Sequence, residues 1–242
     1  MLANQGSTAK IVRPTTLRES VLERILELII IGSLKPGQHL VENELADNLG
    51  VSRQPVREAL QLLSGEGWVD LRPGHGAYVH APTVEEADQL LAVRTLLEAE
   101  SARMAARNTD KRDISVLRDI CMRGLAACVA DDVDAAVAAN SELHTAVVNM
   151  SGNRVLADLA SQVARRVRWY HTPVARHRGK ASWEEHAALI DAIEAGEEDV
   201  AADIMRRHTE HTRQSYLESR AQHPEEEPPA PIRRRRPRAV SS

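Results

Sequence analysis

The chain has 242 residues, of which 2% are aromatic and none is Phe, so its core must be built from Leu, Val, Ile and Ala. That disfavours an aromatic-rich β-sandwich and points to helices. Its 31 basic and 35 acidic residues give a net charge of −4, which by itself offers no support for a nucleic-acid partner.

Residues 1–14 lack periodicity and read as a flexible arm ahead of a first domain at 15–80. Thr16 and Glu19 form a capping box, and Leu17, Val21, Ile25, Leu28 and Ile29 recur at helical spacing, so a first helix runs to about Gly32. A Lys35-Pro36-Gly37 turn follows. A second helix spans about Val41 to Leu49, with Gly50 in the position that stops it. Ser52 then caps a third helix that ends near Glu66, with Val51 and Val56 at hydrophobic-staple spacing and Pro55 in the first turn. Trp68, Val69 and Leu71, the turn Pro73-Gly74-His75-Gly76, and Ala77, Tyr78 and Val79 make a small hairpin.

The third helix divides its faces sharply. Val56, Ala59, Leu60 and Leu63 form an apolar stripe, and Arg53, Gln54, Arg57 and Gln61 lie opposite. Its first turn therefore presents two guanidinium groups and an amide, the groups that make bidentate contacts to guanine and adenine edges. Recognition helices use their N-terminal turn in this way. The hairpin adds Arg72 and a glycine-rich tip around His75. Residues 1–80 carry about as many acids as bases, so the positive charge is local and an overall basic footprint is lacking. The competing reading is a solvated helix face, with Arg53 and Arg57 paired to Glu58 or a similar acid.

From Thr83 to about Ala221 every segment reads as helix, in a bundle assigned to 83–221. Breaks fall at Asn108–Thr109, Ala130–Asp132, Gly152–Asn153, Thr172–Ala181 and Gly196. Capping boxes open two helices, at Thr83 with Glu86 and at Ser182 with Glu185. Cys121 and Cys128 are too few for a disulfide framework and read as reduced core residues. No apolar run is long enough to span a bilayer and no signal peptide opens the chain. The expectation is a soluble cytoplasmic protein with no membrane partner. The Pro-rich, charged segment 222–242, with its run Arg233 to Arg236, reads as a disordered tail.

Several polar residues interrupt the apolar stripes of this bundle. Asn140 and His144 stand one turn apart among Val133, Ala136, Val137, Val147 and Val148. His186 leads Leu189, Ile190 and Ile193, and His208 continues Ala201, Ile204 and Met205. Three helices thus each aim an imidazole inward, and a buried imidazole needs a partner. Three neutral nitrogens at about 2.0–2.1 Å suit Zn²⁺ or a similar divalent metal, with positions left open for water or a ligand. Separately satisfied core histidines are the alternative. Arg94, within the stripe of Leu90, Leu91 and Leu97, can clamp a carboxylate bidentately or pair with Glu98 one turn on.

The run Leu34-Lys35-Pro36-Gly37, then Gly50-Val51-Ser52-Arg53-Gln54-Pro55-Val56-Arg57-Glu58-Ala59-Leu60, then Gly67-Trp68-Val69 and Gly74-His75-Gly76-Ala77-Tyr78-Val79, closely resembles the GntR superfamily of bacterial regulators. The second half resembles the FCD domain of its FadR subfamily, through Arg94 with Leu97-Glu98, Asn140-x-x-x-His144, Ser151-Gly152-Asn153, Glu185-His186 and Met205 with His208. The resemblance implies a mainly α fold: an N-terminal winged helix-turn-helix with a small β-hairpin wing, and a C-terminal all-α antiparallel helical bundle. It implies a DNA surface of Asn43, Ser52, Arg53, Gln54, Pro55, Arg57, Arg72, Gly74, His75 and Gly76. Arg53 and Arg57 would read the major groove and Gly74 and His75 the minor groove. Asn43 stands where relatives often carry a DNA-contacting Arg.

In the bundle the resemblance implies metal ligation by His144, His186 and His208, with Asn140 a weaker neutral ligand in the fourth place and Zn the ion its donors suit. It also implies effector contact by these four and Arg94. Asn140 replaces the usual Asp, which removes a negative charge and favours an anionic effector. The function that follows is a homodimeric transcriptional regulator, read as a repressor of a palindromic operator and controlled by a small carboxylate. Two alternatives stay open: a metal-dependent hydrolase in the helical half, and a DNA-binding scaffold that senses nothing.

Overall fold

The computed structural model describes residues 16–108 and 110–222, without the side chains of 111, 112, 170–178 and 222. The arm read at 1–14 and the charged tail beyond Gln222 lie outside the described residues. The chain divides into two compact units, one ending at His80 and the other starting at Ala81.

In the first unit, α1 (Leu17–Ile30) opens with both halves of the capping box in place: Glu19 N donates to Thr16 Oγ1 and Thr16 N donates to Glu19 Oε2. Its buried face is Val21, Ile25, Leu26 and Ile29, so Leu26 takes the place read for Leu28, and Leu17 is exposed. α2 (Glu42–Leu49) stops at Gly50, whose φ of 66° is the left-handed conformation that a side chain resists. α3 (Arg53–Gly65) packs Val56, Ala59, Leu60 and Leu63 against α1, all four buried. Burial of each large aliphatic side chain contributes about 1.5–3 kcal/mol, so this contact fixes where α3 points. Ser52 holds the N-cap position of α3, but its hydroxyl makes no capping bond, contrary to the sequence reading.

The wing is more than a hairpin. β1 (His39–Leu40), β2 (Val69–Arg72) and β3 (Gly76–Val79) form an antiparallel sheet in the order β1-β3-β2, with Leu40 opposite Ala77 and Arg72 opposite Gly76. β1 escaped the sequence reading because two residues are too few to show alternation. A Cβ at Gly76 would come 2.7 Å from His39 Nε2, so glycine there lets the β1 imidazole lie across the strand.

The second unit is five helices: α4 (Val84–Asn108), α5 (Lys111–Val129), α6 (Val133–Met150), α7 (Arg154–Glu194) and α8 (Glu198–Gln222). The Thr83–Glu86 capping box opens α4, Asp132 caps α6 and Asn153 caps α7. The break read at Thr172–Ala181 contracts to a kink, with only Gly179 non-helical inside α7 (φ 42°, ψ −130°). Ser182 consequently lies within a helix, and both Glu185 oxygens are engaged by histidines of α8 instead of a capping box. α4 packs on α8, α7 and α6, and α5 on α6 and α7. The core between them is built from Leu117, Ile120, Leu143, Leu189, Ile193 and Met205, with Trp183 as its one large aromatic.

Trp183 rests directly on α5 at Gly124, where a Cβ would fall 2.0 Å from the indole. Overpacking of this kind costs about 1–3 kcal/mol. Gly124→Ala is expected to lower stability by about that amount in urea unfolding, whereas Gly65→Ala, with nothing within 4 Å of the added methyl, is expected to be neutral or stabilising. Equal stability of the two variants would contradict this packing.

Candidate functional site

Two sites emerge, one in each unit. In the first, the N-terminal turn of α3 faces a groove of about 510 Å³ bounded by α2 and the wing. Asn43, Arg53, Arg57, Arg72, Gly74 and Gly76 line it. The side chains of Arg53 and Arg57 are 58% and 48% exposed, so both are accessible. They are not solitary. Arg57 grips Glu42 of α2 bidentately, Nε to Oε1 at 3.0 Å and Nη2 to Oε2 at 2.8 Å, and Arg53 Nη2 reaches the same carboxylate at 3.4 Å. Hydrogen bonding to Arg57 holds the Glu42 carboxyl below its ordinary range, so it is ionised at neutral pH.

Gln54 donates to Glu58 at 2.7 Å. Ser52, Gly74 and His75 are exposed and Pro55 is half-buried. Arg72 is half-buried, with its guanidinium 4.0 Å above the Tyr78 ring, a cation–π contact that stiffens the wing.

In the second unit, α6, α7 and α8 deliver His144, His186 and His208 to one buried point; they are 5%, 0% and 2% exposed. Their Nε2 atoms form a near-equilateral triangle: 3.1 Å between His144 and His208, 3.3 Å between His186 and His144, and 3.1 Å between His186 and His208. His144 Nδ1 donates to Glu98 Oε2 and His208 Nδ1 to Glu185 Oε2, each at 2.7 Å. An ionised carboxylate only accepts, so these two rings carry the proton on Nδ1 and turn the Nε2 lone pair to the centre. Burial pushes the Glu98 carboxyl up, but Arg94 and His144 beside it outweigh burial and hold it well below the usual carboxylate range. Asn140, half-buried, stands one turn before His144.

A cavity of about 280 Å³ adjoins this centre, lined from α4, α6 and the first half of α7. Arg94, Glu98, Asn140 and His144 are on its wall, and His186 and His208 are outside the lining. Arg94 is 4% exposed, with Nε on Glu98 Oε1 at 2.8 Å and Nη2 against the His144 ring at 3.2 Å from Nδ1. The Arg94–Glu98 pair at helical spacing is therefore present, and it coexists with cavity exposure.

Residues 17–79 match the family model described as bacterial regulatory proteins, gntR family, and residues 89–211 match the FCD domain. The chain belongs to the GntR family. This GntR-family chain is 31% identical over 227 residues to the candidate regulator of the L-lactate dehydrogenase operon in Escherichia coli strain K12, covering 82% of this chain and 85% of the relative. To the HTH-type transcriptional regulator YdhC of Bacillus subtilis strain 168 it is 23% identical over 205 residues, covering 84% of this chain and 92% of YdhC. Among solved structures it resembles E. coli McbR/YncC with a TM-score of 0.71 at 20% identity, covering 85% of this chain and 99% of that one, a likeness in fold. The protein is a transcriptional regulator whose winged helix binds DNA and whose FCD domain binds a small-molecule effector. It is not an enzyme, so the hydrolase alternative falls. No helix among the described residues is long and apolar enough to cross a membrane.

Sequence reasoning missed Glu42 as the partner of Arg57, because the two are 15 residues apart on different helices. It also missed Glu98 and Glu185 as supports of the imidazoles, and Arg165 and Arg168 on the cavity wall. Glu185 carried a usable signal, since it adjoins His186 in a chain segment read as buried.

Because Glu42 brings an ionised carboxylate into the groove, Glu42→Gln is expected to tighten binding to a random-sequence duplex in fluorescence anisotropy. An ion pair at the protein surface contributes little to stability, so melting should barely move. Unchanged affinity for random duplex would show that Glu42 contributes no charge to the interface.

Proposed function

We propose that this regulator acts in the cytoplasm as a homodimeric repressor of a palindromic operator, and that a small carboxylate bound beside a divalent metal in the FCD bundle alters its operator affinity. The triangle of Nε2 atoms carries the sensing half of this reading. With bonds of about 2.0–2.1 Å, nitrogens around a metal are separated by roughly 2.9 Å at right angles and roughly 3.3 Å at tetrahedral angles. The 3.1–3.3 Å edges fall in that window. Among the described residues these three form a group of donors suited to a metal ion.

Imidazole donors favour Zn²⁺, and Glu98 and Glu185 fix two of the rings from behind, as ligating histidines require. These carboxylates also restore negative charge that Asn140, an amide in place of the usual acid, does not supply. His144, His186 and His208 would hold the ion, with Asn140 offering a neutral oxygen from the cavity wall. When bound, the ion supplies a positive anchor for an anion at the cavity floor. Arg94, whose Nη1 is buried with no hydrogen-bond partner among the described residues, offers a guanidinium to the same anion. The E. coli relative is named for an L-lactate dehydrogenase operon, and lactate is a small carboxylate.

On the DNA side, Arg53 and Arg57 would exchange Glu42 for guanine edges or phosphates, with Asn43, Ser52, Gln54 and Pro55 beside them. Arg72, Gly74, His75 and Gly76 would carry the wing to the neighbouring groove. Two winged helices related by a two-fold axis read two half-sites, which is why a dimer and a palindrome go together. The effector regulates only by binding the operator-bound and free states with different affinity.

Two measurements test this. Arg53→Ala and Arg57→Ala are each expected to abolish band shifts with operator DNA while leaving the melting temperature unchanged, and a surviving shift would contradict the DNA reading. Glu185→Gln is expected to weaken zinc binding by about 10- to 100-fold in competition with a chelating dye, through loss of support for His208. Parent-like zinc affinity in that variant would contradict the metal reading.

A further inference from the structure

The FCD cavity holds more positive charge than a single carboxylate uses. Glu98 is the one acid in its lining, and its two oxygens are engaged by Arg94 and His144. Against it stand three guanidinium groups: Arg94 from α4, and Arg165 and Arg168 from α7. Arg165 and Arg168 are one helical turn apart, both exposed. Neither has a hydrogen bond or ion pair with any described residue.

Arg103, Arg107, Arg118, Arg123 and Arg213 of this bundle, by contrast, each pair with a carboxylate. In a chain with more acids than bases, two adjacent arginines left without acids on the wall of a cavity mark a place where negative charge is to be supplied from outside. The buried Nη1 of Arg94 is an independent second mark, since an unmade charged hydrogen bond at a buried site is costly. Ser141, Thr145 and Ser161 also line it, but each hydroxyl donates to a carbonyl of its own helix, so the arginines carry the attraction for an anion. The volume of about 280 Å³ suits a small molecule.

We propose that the effector is a small dianion, a linear dicarboxylate, with one carboxylate on the Arg94 and His144 side and the second on Arg165 and Arg168. This rests on the reading of the cavity as a carboxylate site and specifies its ligand. Arg165 and Arg168 form a second anionic subsite that separates diacids from monoacids of equal length. The neutral Asn140 on the same wall avoids repelling either carboxylate.

The test is isothermal titration of the full-length protein as purified with succinate and glutarate, and with butyrate and pentanoate as matched monoacids. The parent is compared with Arg165→Ala/Arg168→Ala, whose exposed positions leave the fold intact, as circular dichroism would check. At least one diacid is expected to bind the parent about tenfold or more tightly than its matched monoacid. The double variant is expected to bring that diacid to monoacid affinity without changing the monoacid. Equal binding of diacid and monoacid by the parent, or a preference that survives the double substitution, overturns the second subsite and leaves the carboxylate reading standing. Failure of all four acids to bind overturns both.

Discussion

Three helices of the FCD bundle each place an imidazole at one point beside an otherwise apolar core, and the rest of that unit is arranged around this fact. Burying polar rings without partners would cost several kcal/mol, comparable with the whole stability of a small domain. Glu98 and Glu185 answer part of that cost by accepting from His144 and His208. Arg94 in turn neutralises Glu98, which keeps the carboxylate ionised in a place where burial alone would protonate it. The hydrogen-bonded chain from Arg94 through Glu98 to His144 thus connects a cavity wall to the point where His208 of α8 meets His144. A ligand that engages Arg94 or His144 acts on residues whose positions fix the packing of four helices.

The DNA-reading unit solves a different electrostatic problem. Its acids and bases are nearly balanced, so attraction to DNA has to be local. Glu42 spans Arg57 and Arg53 and holds their guanidinium groups in place at the groove. Long side chains ordered in advance lose less conformational entropy on binding. The same carboxylate would repel phosphates that are not in register, which would weaken nonspecific contact and favour discrimination. Tyr78 under Arg72 and His39 beside Gly76 give the wing a comparable rigidity.

Much of this was legible in the sequence, for a definite reason. Helix caps and periodic apolar stripes are local, and α1 shows its cap down to the reciprocal bonds of Thr16 and Glu19 while α3 buries the stripe read for it, although Ser52 makes no capping bond. The three histidines stood out because each broke an apolar stripe. What escaped reading was set by contacts distant in sequence. β1 exists only because β3 pairs with it, and Glu42 finds Arg57 only once α2 packs on α3. Glu185 matched a capping pattern with Ser182, but α7 continues through the kink at Gly179 and frees its carboxylate for α8. Nothing in the sequence marks Arg165 and Arg168, because no periodicity says that a cavity opens beside them.

The most direct test of the histidine centre is X-ray absorption at the zinc edge on the full-length protein titrated with one equivalent of Zn²⁺. Three imidazole nitrogens at about 2.0–2.1 Å, completed by oxygen, would be the spectrum of His144, His186 and His208 converging on one ion. A spectrum of hydrated zinc, or one dominated by sulfur from Cys121 and Cys128, would contradict it.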